Sequence, residues 1–224
     1  MDHAAVKGYK GLGMEGFTAR WYASLTRREL DRFKELARRV GREVRAGTRI
    51  LEVAPGPGYF AIELARLGGY RVTGLDISRT FVEIADRNAT EAGVHVDFRQ
   101  GNASAMPFAD ESFDFVVCQA AFKNFTEPVR ALEEMYRVLA KGGRALIIDL
   151  RGDASMESIA QAVNSWDLSA VNNAITKLTF RFMLLKRART KPEFERLVSQ
   201  TKFESAEVQE SGISLEVTLQ RGSV

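Results

Sequence analysis

Residues Arg49–Ala65 read RILEVAPGPGYFAIELA, and this stretch decides the fold. An apolar strand, Arg49–Val53, carries an acidic residue, Glu52, near its end. A turn containing Gly56 and Gly58 follows, and then the start of an amphipathic helix. This order builds a ligand site at the carboxyl end of a strand. Glycines let the backbone approach a ligand where a side chain would collide. The helix behind them offers free N–H groups and a partial positive charge. Glu52 places a carboxylate where a phosphate-binding loop would have none, so the pattern points to a nucleoside-like, cationic ligand rather than a pyrophosphate.

Outward from this stretch, strands and helices alternate. Helices are expected at Glu15–Tyr22 and Arg27–Val40, where Leu30, Phe33, Leu36 and Val40 recur at helical spacing and Thr26 is placed to cap. After the first strand come a helix Ala61–Leu67 ended by Gly68-Gly69, a strand Tyr70–Asp76, and a helix Arg79–Ala92 capped by Ser78 and closed by Gly93. Strands Val94–Gln100 and Phe113–Gln119 follow, then a helix opened by Pro128 and a fifth strand, Arg144–Leu150. Such alternation means parallel strands with helices on both faces, with ligands beyond the carboxyl strand ends. Glu52, Asp76, Asn102 and Gln119 all fall at or just past such ends. Residues 151–191 interrupt the pattern with two expected helices, Ser155–Ser165 and Ser169–Lys186. Pro192–Thr201 reads as a helix, and Lys202–Glu210 with Ile213–Arg221 as an antiparallel pair turning at Ser211-Gly212. Residues 1–14 are glycine-rich and read as loose.

Four landmarks stand in order over residues 49–150: Glu52-Val-Ala-Pro-Gly56-Pro-Gly58; Val72-Thr-Gly-Leu-Asp76-Ile-Ser; Gly101-Asn102-Ala103-Ser-Ala-Met-Pro-Phe with Ser112-Phe-Asp114-Phe-Val-Val; and Val138-Leu-Ala-Lys141-Gly142-Gly143-Arg-Ala-Leu-Ile-Ile-Asp149. With these in register the chain resembles the class I S-adenosylmethionine-dependent methyltransferases, of the small-molecule type that includes the ubiquinone/menaquinone enzymes. The resemblance implies an α/β, Rossmann-like, doubly wound seven-stranded sheet, mostly parallel with an antiparallel last strand beside the fifth. It implies S-adenosylmethionine as cofactor and S-adenosylhomocysteine as product. It carries cofactor contacts to Glu52, Ala54, Gly56, Gly58, Asp76, Ile77, Asn102, Ala103 and Gln119, with Asp76 on the ribose hydroxyls and Ile77 against an adenine face. Two positions depart from the family's usual pattern: Ala54 stands where glycine is usual and Asn102 where aspartate is frequent. Ala54 adds only a methyl, and Asn102 keeps a carbonyl oxygen that accepts from an amino group. On this resemblance residues 1–224 are one methyltransferase domain, with residues 1–46 an N-terminal helical segment and 151–191 a helical substrate cap.

The chain has 224 residues, 45% of them hydrophobic, and a net charge of +3 from 32 basic and 29 acidic side chains. That excess is too small to imply nucleic acid as a partner. A single cysteine, Cys118, allows no intrachain disulfide and points to a reducing, cytoplasmic setting. No apolar run reaches the ~18 residues of a spanning helix, and MDHAAVKGYK is no signal peptide. Oligomeric state is not readable.

Other chemistries find less support. Gly56-Pro-Gly58-Tyr-Phe-Ala61 also fits a dinucleotide fingerprint, so an NAD(P)-dependent oxidoreductase is the alternative, and a non-catalytic cofactor-binding module a second. Glu52 and the last two landmarks oppose the oxidoreductase. Cys118-Gln119 resembles the nucleophile pair of cytosine-C5 methyltransferases, but Val117 stands where those enzymes need proline, and an apolar run makes the thiol inert. His3 and His95 are far apart with no ligand spacing, so no metal site is expected. No catalytic residue is assigned: the resemblance implies that Lys123 and Asn124 face the substrate side, Asp149 either faces the substrate or is a terminal strand charge, and Trp21 and Tyr22 either line or cover the pocket or pack their helix. Lys177–Lys191 carries six basic residues and no acidic one, fitting a packed helix with a solvated basic face first, a lid over an apolar or anionic small-molecule substrate second, and a membrane-surface or RNA-contacting role third.

Overall fold

A computed structural model describes residues 8–10, 13–164, 185–203 and 205–223. Seven strands form one sheet: β1 (Arg49–Val53), β2 (Arg71–Asp76), β3 (Asp97–Gln100), β4 (Phe113–Gln119), β5 (Leu139–Leu150), β6 (Ser205–Ser211) and β7 (Ser214–Gln220), in the order β3-β2-β1-β4-β5-β7-β6. The first five are parallel, and β7 inserts antiparallel between β5 and β6. This is the Rossmann-like sheet that the alternation and the resemblance imply. All of β4 except Asp114 is buried, as an inner parallel strand covered on both faces must be. In β7 every second residue is buried, the alternation of a half-covered antiparallel strand.

The helices are α1 (Gly16–Thr26), α2 (Leu30–Glu43), α3 (Tyr59–Leu67), α4 (Arg79–Ala92), α5 (Pro128–Val138), α6 (Met156–Asn164) and α7 (Lys191–Val198). Two cores sandwich the sheet. One packs Leu132 and Met135 of α5 and Phe194 of α7 on Leu51, Val116 and Ile147. The other packs Val40 of α2, Phe60 and Leu64 of α3 and Ala85 of α4 on Ile50, Val72, Phe115 and Val117. Local signals act where their chemistry is local. The Ser78 side chain accepts from Phe81 N, Gly93 closes α4 at φ 68°, and Pro128 sits in the first turn of α5.

Several expectations are corrected. Thr26 caps nothing: α1 runs through it into a short 3-10 turn at Arg27–Glu29, and its hydroxyl donates back to the Tyr22 carbonyl at 2.9 Å. The real capping box is at Thr190 and Glu193, which starts α7. Strand β3 begins three residues later than expected and β5 five residues earlier. The β6–β7 turn is Gly212-Ile213, one residue on from the expected pair, with Gly212 at φ 55°. Residues 8–10 are not loose. Tyr9 pairs antiparallel with Phe125, Lys10 N donates to Asn124 O at 2.7 Å, and Arg187 donates to Lys10 O at 2.9 Å. The expected helix Ser169–Lys186 lies outside the described residues but for its last two, which are in a turn.

Candidate active site

The chain reverses its direction of travel through the sheet between β1 and β4, and a crevice at such a switch point is where open α/β sheets take ligands. Val53 is paired with Leu75 and with Cys118, so the carboxyl ends of β1, β2 and β4 come together. Glu52, Asp76 and Gln119 are therefore neighbours, as the sequence reading required.

The loop after β1 is tied across this crevice. Ala54 N donates to Leu75 O at 2.8 Å, and Gly56 N donates to Asp76 Oδ2 at 2.9 Å. Asp76 Oδ1 accepts from Ser78 N at 2.9 Å. An ionised carboxylate offers about four acceptor positions; the Gly56 and Ser78 amides take two and the Ile77 amide also acts on it, so acceptor capacity is left for a ligand hydroxyl. Asp76 is buried, and desolvation pushes its carboxyl up to about 6 even though amide donors oppose the rise. Glu52 is deeper. Its Oε2 accepts from Ala61 N in the first turn of α3, and its Oε1 accepts from Gln119 Nε2, both at 3.0 Å. Burial pushes its carboxyl up to about 8, with Asp76 adding to the rise. Neither carboxylate enters an ion pair among the described residues. Glu52 thus locks strand, helix and β4 together from below, and Asp76 meets the loop.

The glycines differ in purpose. A Cβ on Gly58 (φ 78°) would strike Phe98 at 2.7 Å and Ala85 at 2.9 Å, so this residue lets α3 seat against α4 and β3. A Cβ on Gly56 (φ 54°) would meet nothing within 4 Å, so the loop tip borders open space. Ala54 adopts φ 58°, the left-handed region for which glycine is the easy choice.

Ile77 is half-buried beside Asp76. Asn102 turns its Oδ1 onto Ser104 N at 2.9 Å, and Ala103 is half-buried next to it. Gly8 closes over both Ile77 and Asn102: a Cβ there would meet Ile77 Cδ1 at 2.6 Å and the Asn102 amide at 3.0 Å. Sequence reading missed this strap, because no local pattern tells residues 8–10 to pair with residues 124–126.

The acceptor side holds a second missed feature. Lys123 Nζ donates to Asp149 Oδ1 at 2.8 Å and to the Ala120 carbonyl, while Lys123 N donates to Asp149 Oδ2 at 2.8 Å. Both side chains are about 93–95% buried. Ala120, at φ 55°, bends the chain after β4 to bring Lys123 to the end of β5. Tyr22 is close enough to Asp149 and Tyr9 for both to act on its phenol, which burial pushes up to about 12. Tyr22 faces inward onto Phe81, whereas Trp21 is exposed. Cys118 is fully buried, with its thiol raised well above the usual range, so it is a core residue. Among the described residues no cluster of His, Cys, Asp and Glu suits a metal, and no helix is long and apolar enough to cross a membrane.

Residues 51–147 match the family model described as a methyltransferase domain. The chain is 41% identical over 106 residues to the demethylmenaquinone methyltransferase of Thermus thermophilus, covering 47% of this chain and 48% of that protein. It thus spans about half the length of the curated relatives it matches. A candidate S-adenosylmethionine-dependent methyltransferase from Methanococcus maripaludis superposes with a TM-score of 0.76 over 95% of this chain and 96% of its own, at 16% identity. The [4+2]-cyclase SpnF superposes with a TM-score of 0.65 over 99% of this chain and 88% of its own, at 18% identity. The two superpositions establish the fold, and the second shows that this fold also carries other chemistry. The match to a methyltransferase domain implies S-adenosylmethionine, and the residues present fit it: open space at Gly56, acceptor capacity left on Asp76, and buried carboxylates without a cation among the described residues.

Proposed function

We propose that this methyltransferase domain transfers the methyl group of S-adenosylmethionine to a small apolar acceptor by in-line displacement, and that the acceptor is a ring of the demethylmenaquinone kind. The observation that carries the reading is Asp76, buried at the end of β2 and bonded to the glycine loop with acceptor capacity left. The acceptor class follows the names of relatives that share about half their length with this chain.

When bound, S-adenosylmethionine supplies a methyl group on a positively charged sulfonium. The chain's own residues align and exclude water. Asp76 accepts from the ribose hydroxyls. Ile77 and Ala103 flank the adenine, and a second lone pair on the Asn102 carbonyl accepts from its amino group. Gly56 and Ala54 present backbone to the ligand, while Glu52 and Gln119 hold that loop against α3 and β4. The strap at residues 8–10 shuts the adenine side from solvent. In this reading α1 and α6 flank the acceptor, and the Lys123–Asp149 pair shapes the floor beneath it.

The test is a transfer assay with S-adenosylmethionine labelled in its methyl group and a short-chain demethylmenaquinone analogue. Label is expected in the extracted quinone, at a ring carbon. No label in quinone, phenol or amine acceptors, from a protein that still binds S-adenosylhomocysteine, would make the chain a non-catalytic binding module.

A further inference from the structure

Helix α1 shows a face that the proposed reaction does not use. Phe17, Trp21 and Leu25 stand one helical turn apart and are 81%, 57% and 46% exposed, the three most exposed large apolar side chains of α1 and the turn that follows it. The opposite side is fixed to the molecule. It buries Ala19, Ala23 and Thr26, Ala23 O accepts from the Tyr59 hydroxyl at 2.9 Å, and Gly16 N donates to Thr80 Oγ1 at 3.0 Å. The stripe is therefore held rigidly outward.

Its surroundings are basic. Residues 16–28 contain Arg20, Arg27 and Arg28 and no acidic residue. All three arginines are exposed, and none enters an ion pair among the described residues. By helical geometry Arg20 flanks the stripe and Arg28, three residues past Leu25, continues it, while Arg27 stands in the 3-10 turn that follows α1. The nearest acidic residues are engaged elsewhere. Glu15 accepts from Arg79 N and Thr80 N at 3.0 and 3.1 Å, and Glu29 pairs with Arg32 at 2.9 Å.

We propose that α1 docks the molecule peripherally on an anionic lipid surface, with Phe17, Trp21 and Leu25 entering the headgroup–acyl boundary and Arg20, Arg27 and Arg28 meeting headgroup phosphates. An aromatic and aliphatic stripe beside unpaired arginines is the chemistry of an interfacial helix. A second copy of the chain fits worse, because two-fold pairing through this face would bring six unpaired arginines together. Helix α1 also packs at the edge of the crevice: Ser78, two residues past Asp76, donates to Met14 O just ahead of the helix at 2.5 Å. Docking would set the mouth of the site beside the lipid, where apolar molecules dissolve. The binding itself needs no methyl transfer.

The test is co-sedimentation of the full chain with vesicles of phosphatidylcholine containing one quarter phosphatidylglycerol, against phosphatidylcholine alone. Trp21 emission is followed in a Trp166→Phe background. Binding to the anionic vesicles is expected, with a blue shift of Trp21 and weakening as salt is raised. The triple change Phe17→Ser, Trp21→Ser and Leu25→Ser should lower partitioning at least tenfold. Arg20→Gln, Arg27→Gln and Arg28→Gln should each lower it about fivefold. Because Phe17, Trp21, Leu25 and the three arginines are exposed, these changes should leave thermal unfolding unaltered and the comparison interpretable. Wild-type protein that ignores anionic vesicles, or variants that partition equally with it, would overturn the proposal. So would a dimer, seen in sedimentation velocity, that the triple serine change dissolves; the face would then be a contact between copies.

Discussion

On the β1–β2 side of the crevice the carboxylates of Glu52 and Asp76 are held by backbone amides and one side-chain amide. On the β4–β5 side Asp149 is held by an ammonium as well. The first arrangement has no counter-charge, so in this buried place Asp76 is ionised only above about 6 and Glu52 only above about 8, and a cationic ligand that arrives later favours the ionised forms. The second is compensated already and does the work of shape. Burial alone does not tell the two apart, since all three carboxylates are 7% exposed or less; their partners do.

The largest effect that sharpens this contrast is on stability. Asp149→Ala leaves the Lys123 ammonium buried without its partner, and should cost about 3–5 kcal/mol in chemical denaturation. Removing both charges together, by Lys123→Met with Asp149→Leu, should cost clearly less. Equal losses would mean that the carboxylate's backbone contacts matter more than the ion pair.

Next is Glu52→Gln. A carboxyl raised from its usual 4.5 to about 8 by burial takes up a proton on folding. The wild type therefore loses stability as pH climbs from 4.5 to 8, and the whole deficit is present above 8. Glutamine has no such loss, and its amide can serve both Ala61 N and Gln119. The variant should match the wild type near pH 4.5 and exceed it by on the order of 2–4 kcal/mol at pH 9. Thermal melts across this range check it, and a constant difference would place Glu52 in a more solvated setting.

A third effect concerns ligands. Deprotonation of Asp76 near pH 6 should raise affinity for both S-adenosylmethionine and S-adenosylhomocysteine, because the ionised form accepts the ribose hydroxyls better. Deprotonation of Glu52 near pH 8 should favour the cationic sulfonium further. The affinity ratio of the two ligands should grow about threefold to tenfold between pH 6 and 9 in calorimetry, from an electrostatic gain of roughly 1 kcal/mol. A flat ratio would disconnect Glu52 from the sulfonium.

What the sequence disclosed follows the same division. The β1–β2 side is built from local devices, namely Gly58, the Ser78 cap and Gly93, and each of these lies within a few residues of the structure it makes. Asp76 could be read because it ends a strand at a known distance from a glycine turn. The Lys123–Asp149 pair joins residues 26 apart, and the strap joins residue 9 to residue 125; nothing local marks either. Thr26 misled because a hydroxyl caps only when the preceding helix stops, and here α1 runs on. The long span of β5 was hidden by Gly142 and Gly143, a residue type depleted in strands, which nonetheless lie within this one.

The smallest effect tests the loop itself. Ala54→Gly relieves about 1 kcal/mol of left-handed strain, but glycine costs about 0.5–1 kcal/mol in added chain entropy. The net change in denaturation should stay within about 0.5 kcal/mol. A larger loss would show that the Ala54 methyl contributes to the core it packs against.

The central claim is that Asp76 grips a nucleoside in this crevice, and calorimetric titration of S-adenosylhomocysteine into wild-type protein and Asp76→Ala tests it most directly. The wild type should bind, and the variant should bind more weakly by about 1.5–3 kcal/mol, the scale of hydrogen bonds to a charged group. Equal affinity in the two proteins, or wild-type protein that binds NADPH and not S-adenosylhomocysteine, would contradict it.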